Sequence, residues 1–393
     1  MDQIASKRTA KGKRRSESPD IGELLDAYQS VALVLQGGGA LGAYQAGVFQ
    51  ALNEAGITPN WLSGVSIGAI NAAIITGNKP GNQLDRLRDF WETISSRTVW
   101  PFTPEGDMFR KMRNETSSML TMMSGLPGFF KPRAVSAWQQ LPGASGATSF
   151  YDTDDLEKTL NRLIDWDIIN DRERRLSVGA VNVRTGNFRY FDSEIEVLNA
   201  HHVMASGALP PAFRAIRIEN EDYWDGGIVS NTPLQYLLEQ DDVHDTLVFQ
   251  VDLFSARGTL PREMADVLSR HKDIMYSSRT RNSTDTFRRL HNLRLKLHSA
   301  LKKVPTDALN EDEKAFLTSM EDVPQINIVH LIYQQKQYEG HAKDYEFSGT
   351  SMREHWDSGY QDTRKTLLHP KWLKKPPEAV GMTVHDVHRD DPT

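Results

Sequence analysis

The sequence predicts an α/β protein, with a mostly parallel central sheet flanked by helices and a largely helical C-terminal extension. Three observations predict it. Val31 to Leu35 (VALVL) is a continuous apolar run, as expected of a strand buried on both faces. Tyr44, Val48, Leu52 and Ala55 then recur at helical spacing until Gly56 stops the helix. Trp61 to Val65 reads as a second strand and Ile67 to Thr76 (IGAINAAIIT) as a second helix, apolar almost all round and therefore central. Strand–helix–strand–helix order calls for parallel pairing through right-handed crossovers.

The other elements follow along the chain. Six of the first twenty residues are Lys or Arg (Lys7, Arg8, Lys11, Lys13, Arg14, Arg15), and no apolar stretch follows them. Residues 1–28 therefore read as a disordered basic tail, either simply solvated or in contact with anionic lipid. Order is expected from Ile21, with a short helix through Tyr28. Residues 96–150 break the pattern. They carry Met108, Met112, Met119, Met122 and Met123, then Leu126-Pro127-Gly128-Phe129-Phe130. Such a stretch fits irregular helices packed on the sheet or a surface that receives apolar ligands. Leu176 to Val183 and Phe188 to Phe191 form a hairpin across Arg184-Thr185-Gly186-Asn187. Thr246 to Leu253 and Ile326 to Tyr333 are further buried strands. Arg262 to Lys303 is helical and basic, with eleven Lys/Arg against four Asp/Glu. Its Leu290, Leu293, Leu297 and Leu301 share one face, which packs on the core or lies at a membrane interface. The domains expected are 29–255, a hydrolase domain by the motifs below, an extension at 256–370, and a loose tail at 371–393.

Composition narrows the function. The 393 residues are 39% hydrophobic and 25% charged, ordinary for a globular protein. A net charge of -6 argues against a chain that binds nucleic acid as a whole. There is no cysteine, which excludes disulfides, thiol nucleophiles and Cys-ligated metals, and fits a reducing cytoplasm. No apolar run reaches the ~18 residues of a spanning helix. The expected location is cytoplasmic, peripheral on the inner membrane.

Three motifs carry chemistry. Gly64-Val65-Ser66-Ile67-Gly68 is a G-x-S-x-G sequence between a strand and a helix, where a sharp turn holds a serine hydroxyl out at the sheet edge. The N-terminus of the following helix favours negative charge there. Gly37-Gly38-Gly39-Ala40-Leu41-Gly42 also satisfies G-x-G-x-x-G. However, the region where a ribose-binding carboxylate belongs reads Thr58-Pro59-Asn60-Trp61-Leu62, and no Gly-Lys-Ser/Thr follows the glycines. A plain tight turn or an oxyanion hole remains. Trp224-Asp225-Gly226-Gly227, followed by Asn231-Thr232-Pro233-Leu234, is by itself a turn; beside the serine it offers a general base.

In this order the motifs resemble the patatin-like phospholipase family. Ala205-Ser206-Gly207-Ala208-Leu209-Pro210 and Asn182-Val183-Arg184-Thr185-Gly186 strengthen the resemblance, which covers roughly residues 29–255. Ser351-Met352-Arg353-Glu354-His355-Trp356 and Arg279-Thr280-Arg281 look like the extension of a bacterial subgroup. Gln36 stands where plant patatins carry aspartate, and Ala40 where many members carry arginine. The resemblance implies a three-layer patatin-like fold and a lipid acyl hydrolase of phospholipase A or esterase type. It implies Ser66 as nucleophile, Asp225 as base, and Gly37, Gly38 and Gly39 as the oxyanion hole, with Gly42, Gly64, Gly68, Gly226 and Gly227 as motif glycines. No metal or cofactor is implied. The expected partners are a lipid ester and a membrane surface, not nucleic acid.

Two other readings stay open. A Ser–His–Asp esterase would need a histidine after Asp225, and His341, His355 and His369 are the candidates. A non-catalytic lipid-binding protein would keep the fold without turnover. A metal hydrolase is disfavoured, because His201-His202 are adjacent and project differently.

Overall fold

The computed structural model describes residues 21–95, 106–240, 244–319, 323–336 and 338–386. The basic cluster Lys7 to Arg15 lies outside them. The first half runs α1 (Ile21–Leu25), β1 (Ser30–Leu35), α2 (Ala43–Glu54), β2 (Trp61–Val65), α3 (Ile67–Thr76), α4 (Gln83–Ile94) and α5 (Asp107–Ser124). Short β3 (Lys131–Pro132) and β4 (Tyr151–Asp152) pair with each other, followed by α6 (Asp154–Leu163) and α7 (Trp166–Asn170). Then come β5 (Arg175–Asn182), β6 (Phe188–Asp192), α8 (Ala200–Ser206), β7 (Ile216–Ile218), β8 (Glu221–Asp225), α9 (Leu234–Leu238) and β9 (Thr246–Asp252). The chain closes with α10 (Met264–Leu301), α11 (Glu311–Ser319), β10 (Ile326–Ile332), α12 (Gly349–Leu367) and β11 (Met382–Asp386).

The main sheet has the order β11-β10-β9-β1-β2-β5-β8-β7, with β6 paired to β5. It is parallel from β11 to β5 and antiparallel beyond. The apolar run of β1 is explained by its two buried faces. Leu33 and Leu35 pack with α2, α3 and α4, while Ala32 and Val34 pack with α9 and with Phe287 of α10. Three layers result, as expected. All ten residues of α3 are buried, which accounts for its lack of a polar face.

The division expected at residue 255 is not a structural boundary. β10 pairs with β9 along its whole length, so the extension continues the same sheet. The stretch after Pro370, expected to be loose, supplies the edge strand β11 as far as Asp386. Leu373 O accepts from the Tyr28 hydroxyl at 3.0 Å, and Asn327 Nδ2 donates to that hydroxyl at 3.0 Å and to Trp372 O at 2.7 Å. Both termini of the described chain are thus tied to β10, and Tyr28, placed by sequence at the end of the tail, is buried. Prolines and charges around Met382–Asp386 hide a strand that only tertiary pairing reveals.

The Met-rich stretch forms one helix, α5, which ends at Gly125 with φ 76°. Met112, Met119, Met122 and Met123 are exposed on it, as are Leu290, Leu293 and Leu297 on α10.

α12 crosses α2 through two glycines. A Cβ on Gly359 would lie 2.0 Å from Tyr44 O, and one on Gly47 would lie 1.9 Å from Trp356 O. Both obstacles are backbone, so nothing can rotate away. Gly→Ala in a helix interior normally stabilises by up to ~1 kcal/mol. Here the overlap should win, and Gly359→Ala should lose about 1–3 kcal/mol in urea unfolding. An unchanged midpoint would show that the crossing is looser than described.

Candidate active site

Strand β5 brings the motifs together. Gly179 pairs with Val65 of β2, and the next residue, Ala180, pairs with Asp225 of β8. Ser66 follows Val65 directly, so the register alone sets the serine beside the aspartate. β1 ends one strand further over, where Leu35 pairs with Gly64 and leads into the glycine loop.

Ser66 has φ 55° and ψ -125°, a strained conformation for a residue with a side chain. Its neighbours hold it there. The Ser66 N–H donates to Ser206 O (3.1 Å) and to Ser206 Oγ (3.0 Å), and Ser206 Oγ in turn donates to Gly179 O (2.6 Å). Gly64 and Gly68 permit the tight strand–helix turn: a Cβ on Gly64 would lie 2.4 Å from the Gly68 carbonyl carbon, and one on Gly68 2.3 Å from Leu35 O. α3 starts immediately after Ser66 and directs its N-terminus at the site.

Asp225 is 3% exposed. Its Oδ1 accepts the Gly227 N–H at 2.7 Å, and the Ser66 side chain beside it favours its charged form. Burial raises its pKa from 3.8 to about 6, while the Ser66 side chain and the Gly227 N–H pull the other way. A buried aspartate is thereby a stronger base than a solvated one. Gly226 lets β8 approach β5, since a Cβ there would lie 2.6 Å from Gly179 O.

The glycine loop follows β1. The Gly37 N–H donates to Asn231 O at 3.2 Å, so it is occupied, contrary to its expected role as an oxyanion donor. Gly38 and Gly39 have no acceptor for their N–H groups among the described residues, and Gly39 has φ 54°. The open pair is therefore Gly38 and Gly39. Gly37 is needed for space: a Cβ would lie 2.4 Å from Asn231 Oδ1 and 3.1 Å from Ser66 Cβ. Gly42 lets the loop pack on α3, since a Cβ there would lie 2.6 Å from Ile67.

Two residues without a sequence-assigned role anchor this loop. Asn231 Nδ2 donates to Gly37 O at 2.9 Å, joining the Asp-Gly-Gly turn to the glycines. Gln36 is fully buried; its Oε1 accepts from Leu253 N (2.6 Å) and Phe254 N (3.1 Å), and its Nε2 donates to Thr232 Oγ1 (3.0 Å). Trp91, Asn71 and Gln45 continue the chain: Trp91 Nε1 to Asn71 Oδ1, Asn71 Nδ2 to Gln45 Oε1, and Gln45 Nε2 to Gln36 O. A polar residue between a buried strand and a run of glycines was the signal for Gln36.

The site opens into a cavity of about 310 Å³. Ser66, Asp225 and Gly37–Gly39 line one part, and apolar groups such as Met122, Phe129, Phe130, Phe213 and Ile216 line the rest. The Met-rich segment thus does face an apolar cavity, through Met122 and the two phenylalanines. None of the candidate histidines lines it. His355 Nε2 lies 2.7 Å from Glu339 Oε1, His369 stacks on Trp372, and His341 O accepts from Lys272. His202 Nδ1 accepts the Asn199 N–H and caps α8. No cluster of three metal-capable side chains occurs among the described residues.

The sequence profile of the patatin-like phospholipases matches residues 33–238, more than half of the chain. The chain belongs to the patatin-like phospholipase family. A second profile, described as patatin phospholipase, matches residues 274–379, so the extension is a patatin-associated segment. The lysophospholipase nte1 of Aspergillus terreus is 56% identical over 46 residues, which cover 12% of this chain and 3% of that protein. VipD of Legionella pneumophila is 14% identical with a TM-score of 0.36, covering 86% of this chain and 67% of that one. Human GIVD cytosolic phospholipase A2 is 11% identical with a TM-score of 0.34, covering 58% and 45%. All three motifs described above lie inside the patatin-like match.

Burial of the patatin motif aspartate has a cost that can be measured. Because its folded pKa is raised, the folded state holds the proton more tightly than the unfolded state. Stability therefore falls as pH rises from 3.8 to about 6, by roughly 3 kcal/mol once the group is ionised. Asp225→Asn never ionises. It should unfold at higher denaturant than wild type at pH 8 and converge with wild type below pH 4. Equal stability at pH 8 would refute the buried ionised carboxylate.

Proposed function

We propose that this chain is a serine lipid acyl hydrolase working through a Ser66–Asp225 dyad. The placement of Ser66 beside the buried Asp225 carboxylate in one cavity, with the two open glycine amides, carries this reading. Ser66 attacks the ester carbonyl while Asp225 accepts its proton. The tetrahedral oxyanion is held by the amides of Gly38 and Gly39, in reach of the α3 N-terminus. The alcohol leaves with the proton from Asp225, giving an acyl-serine. Water, deprotonated by the same aspartate, attacks the acyl-serine; the acyl–Oγ bond breaks, Ser66 takes the proton from Asp225, and the fatty acid leaves.

A pKa raised to about 6 brings Asp225 nearer to the operating pH, where a general base is most effective. A Ser–His–Asp reading lacks support, because no described histidine lines the cavity. A purely lipid-binding role leaves the strained Ser66 and the buried carboxylate without a purpose.

On a p-nitrophenyl ester, kcat/KM should rise with pH through an inflection near pH 6, where Asp225 loses its proton. Ser66→Ala and Asp225→Asn should each lower kcat by about 10²–10⁴-fold. A fluorophosphonate should label Ser66 and no other residue. Retained turnover in purified Ser66→Ala would remove the serine from the mechanism.

A water-insoluble substrate must be met at a surface. We place that contact on the cavity rim and on α10, in a cytoplasmic protein acting at the inner membrane. Phe150, which lines the cavity, is exposed, as are Met119 and Met123 on α5, and Leu290, Leu293 and Leu297 lie beside exposed Arg289, Arg294 and Lys296. Among the described residues no helix is long and apolar enough to cross a membrane. Each basic residue near an anionic surface adds about 1 kcal/mol, screened by salt. Co-sedimentation with anionic vesicles should weaken as salt rises and be slight with neutral vesicles. Equal binding to both would leave the basic residues as solvated surface.

A further inference from the structure

The extension reaches into the active site. Tyr276 of α10, with Asp344, Tyr345 and Phe347 from the loop before α12, lines the same cavity as Ser66. This loop lies directly on the oxyanion glycines: a Cβ on Gly39 would sit 2.2 Å from Asp344 O. A crossed pair of ion pairs locks the loop to α10. Lys272 Nζ lies 2.7 Å from Asp344 Oδ1, and Lys343 Nζ lies 2.6 Å from Asp273 Oδ1, with the Lys343–Asp273 pair almost wholly buried. Lys343 Nζ also donates to Gln335 Oε1 at 2.8 Å. Paired and hydrogen-bonded on both sides, this loop is a fixed wall.

The chemistry of that wall is specific. The Tyr276 and Tyr345 hydroxyls have no hydrogen-bond partner among the described residues, yet both rings border the cavity. Burial, then the neighbouring carboxylates Asp225 and Asp344, raises both phenols above their usual pKa, so they stay protonated donors. The charged side chains lining the cavity are Asp225 and Asp344, both acidic. Asp344 is already neutralised by Lys272. A phosphate brought next to Ser66 would face the Asp225 carboxylate. An alcohol hydroxyl, able to donate and accept at once, matches phenols and a carboxylate without repulsion.

We propose that the C-terminal extension selects the substrate, and that Tyr276 and Tyr345 select an uncharged, hydroxyl-bearing lipid ester of the monoacylglycerol class. The proposal rests on the Ser66–Asp225 reading. Each phenol acts as a specificity-determining donor to the glycerol side of the ester, while the apolar end of the cavity holds the acyl chain.

The test compares three esters of one acyl chain: a monoacylglycerol, the matching lysophosphatidylglycerol and the matching p-nitrophenyl ester. Wild type should favour the monoacylglycerol over the anionic lysophospholipid by about tenfold or more in kcat/KM. Tyr276→Phe and Tyr345→Phe keep the rings, and thermal unfolding confirms that each variant is folded. In at least one of them the ratio of kcat/KM on monoacylglycerol to that on the p-nitrophenyl ester should fall about fivefold or more, because only the glycerol ester has hydroxyls to lose a partner. Equal or better turnover of the lysophospholipid, or an unchanged ratio in both folded variants, overturns the proposal and leaves the hydrolase reading standing. Failure of wild type to cleave any of the three esters overturns both.

Discussion

The proposed chemistry depends on the pairing of two adjacent residues in β5. Gly179 takes Val65 and Ala180 takes Asp225, so a parallel neighbour and an antiparallel one end beside each other. No side-chain contact is needed to bring Ser66 and Asp225 together; ladder hydrogen bonds do it. A one-residue slip would turn the Asp225 side chain to the opposite face of the sheet. Ser206 adds to the constraint, because its hydroxyl spans from Gly179 O to the Ser66 amide. The segments that carry Ser66, Asp225 and Ser206 therefore share one short piece of backbone as their reference.

That arrangement sets burial against stability. An ionised carboxylate with one backbone hydrogen bond in a mostly apolar cavity is costly, and Ser66 sits in a backbone region that disfavours side chains. Both costs are carried by the surroundings: a fully buried helix α3, the amide chain from Trp91 to Gln36, and the glycine contacts that admit close backbone approach. The strain is local and the support is distributed, as expected where a reactive geometry has to be held before substrate arrives.

Much of this was legible in the sequence. The two-sided burial of β1, the all-apolar α3 and the strand–turn–helix around Ser66 are local patterns, and each was found where expected. The glycine loop was legible as a tight turn after β1 but not in detail. Gly37 was read as a donor, yet its amide is taken by Asn231, a partner 194 residues away that no spacing rule connects to it. Asn231 and Gln36 act through tertiary hydrogen bonds, so their types alone gave little signal. The extension was legible in part: its helices and the strand at Ile326–Ile332 were expected, but not their place in the sheet. Its strands lie far from β9 in sequence, and β11 is too short and too polar to show a period. The contributions of Tyr276 and Tyr345 to the cavity depend on packing that no periodicity encodes.

The pairing of β10 along all seven residues of β9 has a consequence for anyone who shortens the chain. A fragment ending at residue 255 would keep every catalytic motif, yet it would present Thr246–Asp252 as a bare edge. That edge is fully buried in the intact protein, lacks proline and carries only one charge, at its last residue. It is a template for a strand from another molecule. Such a fragment would therefore be sticky rather than inert, and its self-association would come from the backbone of β9, not from Ser66.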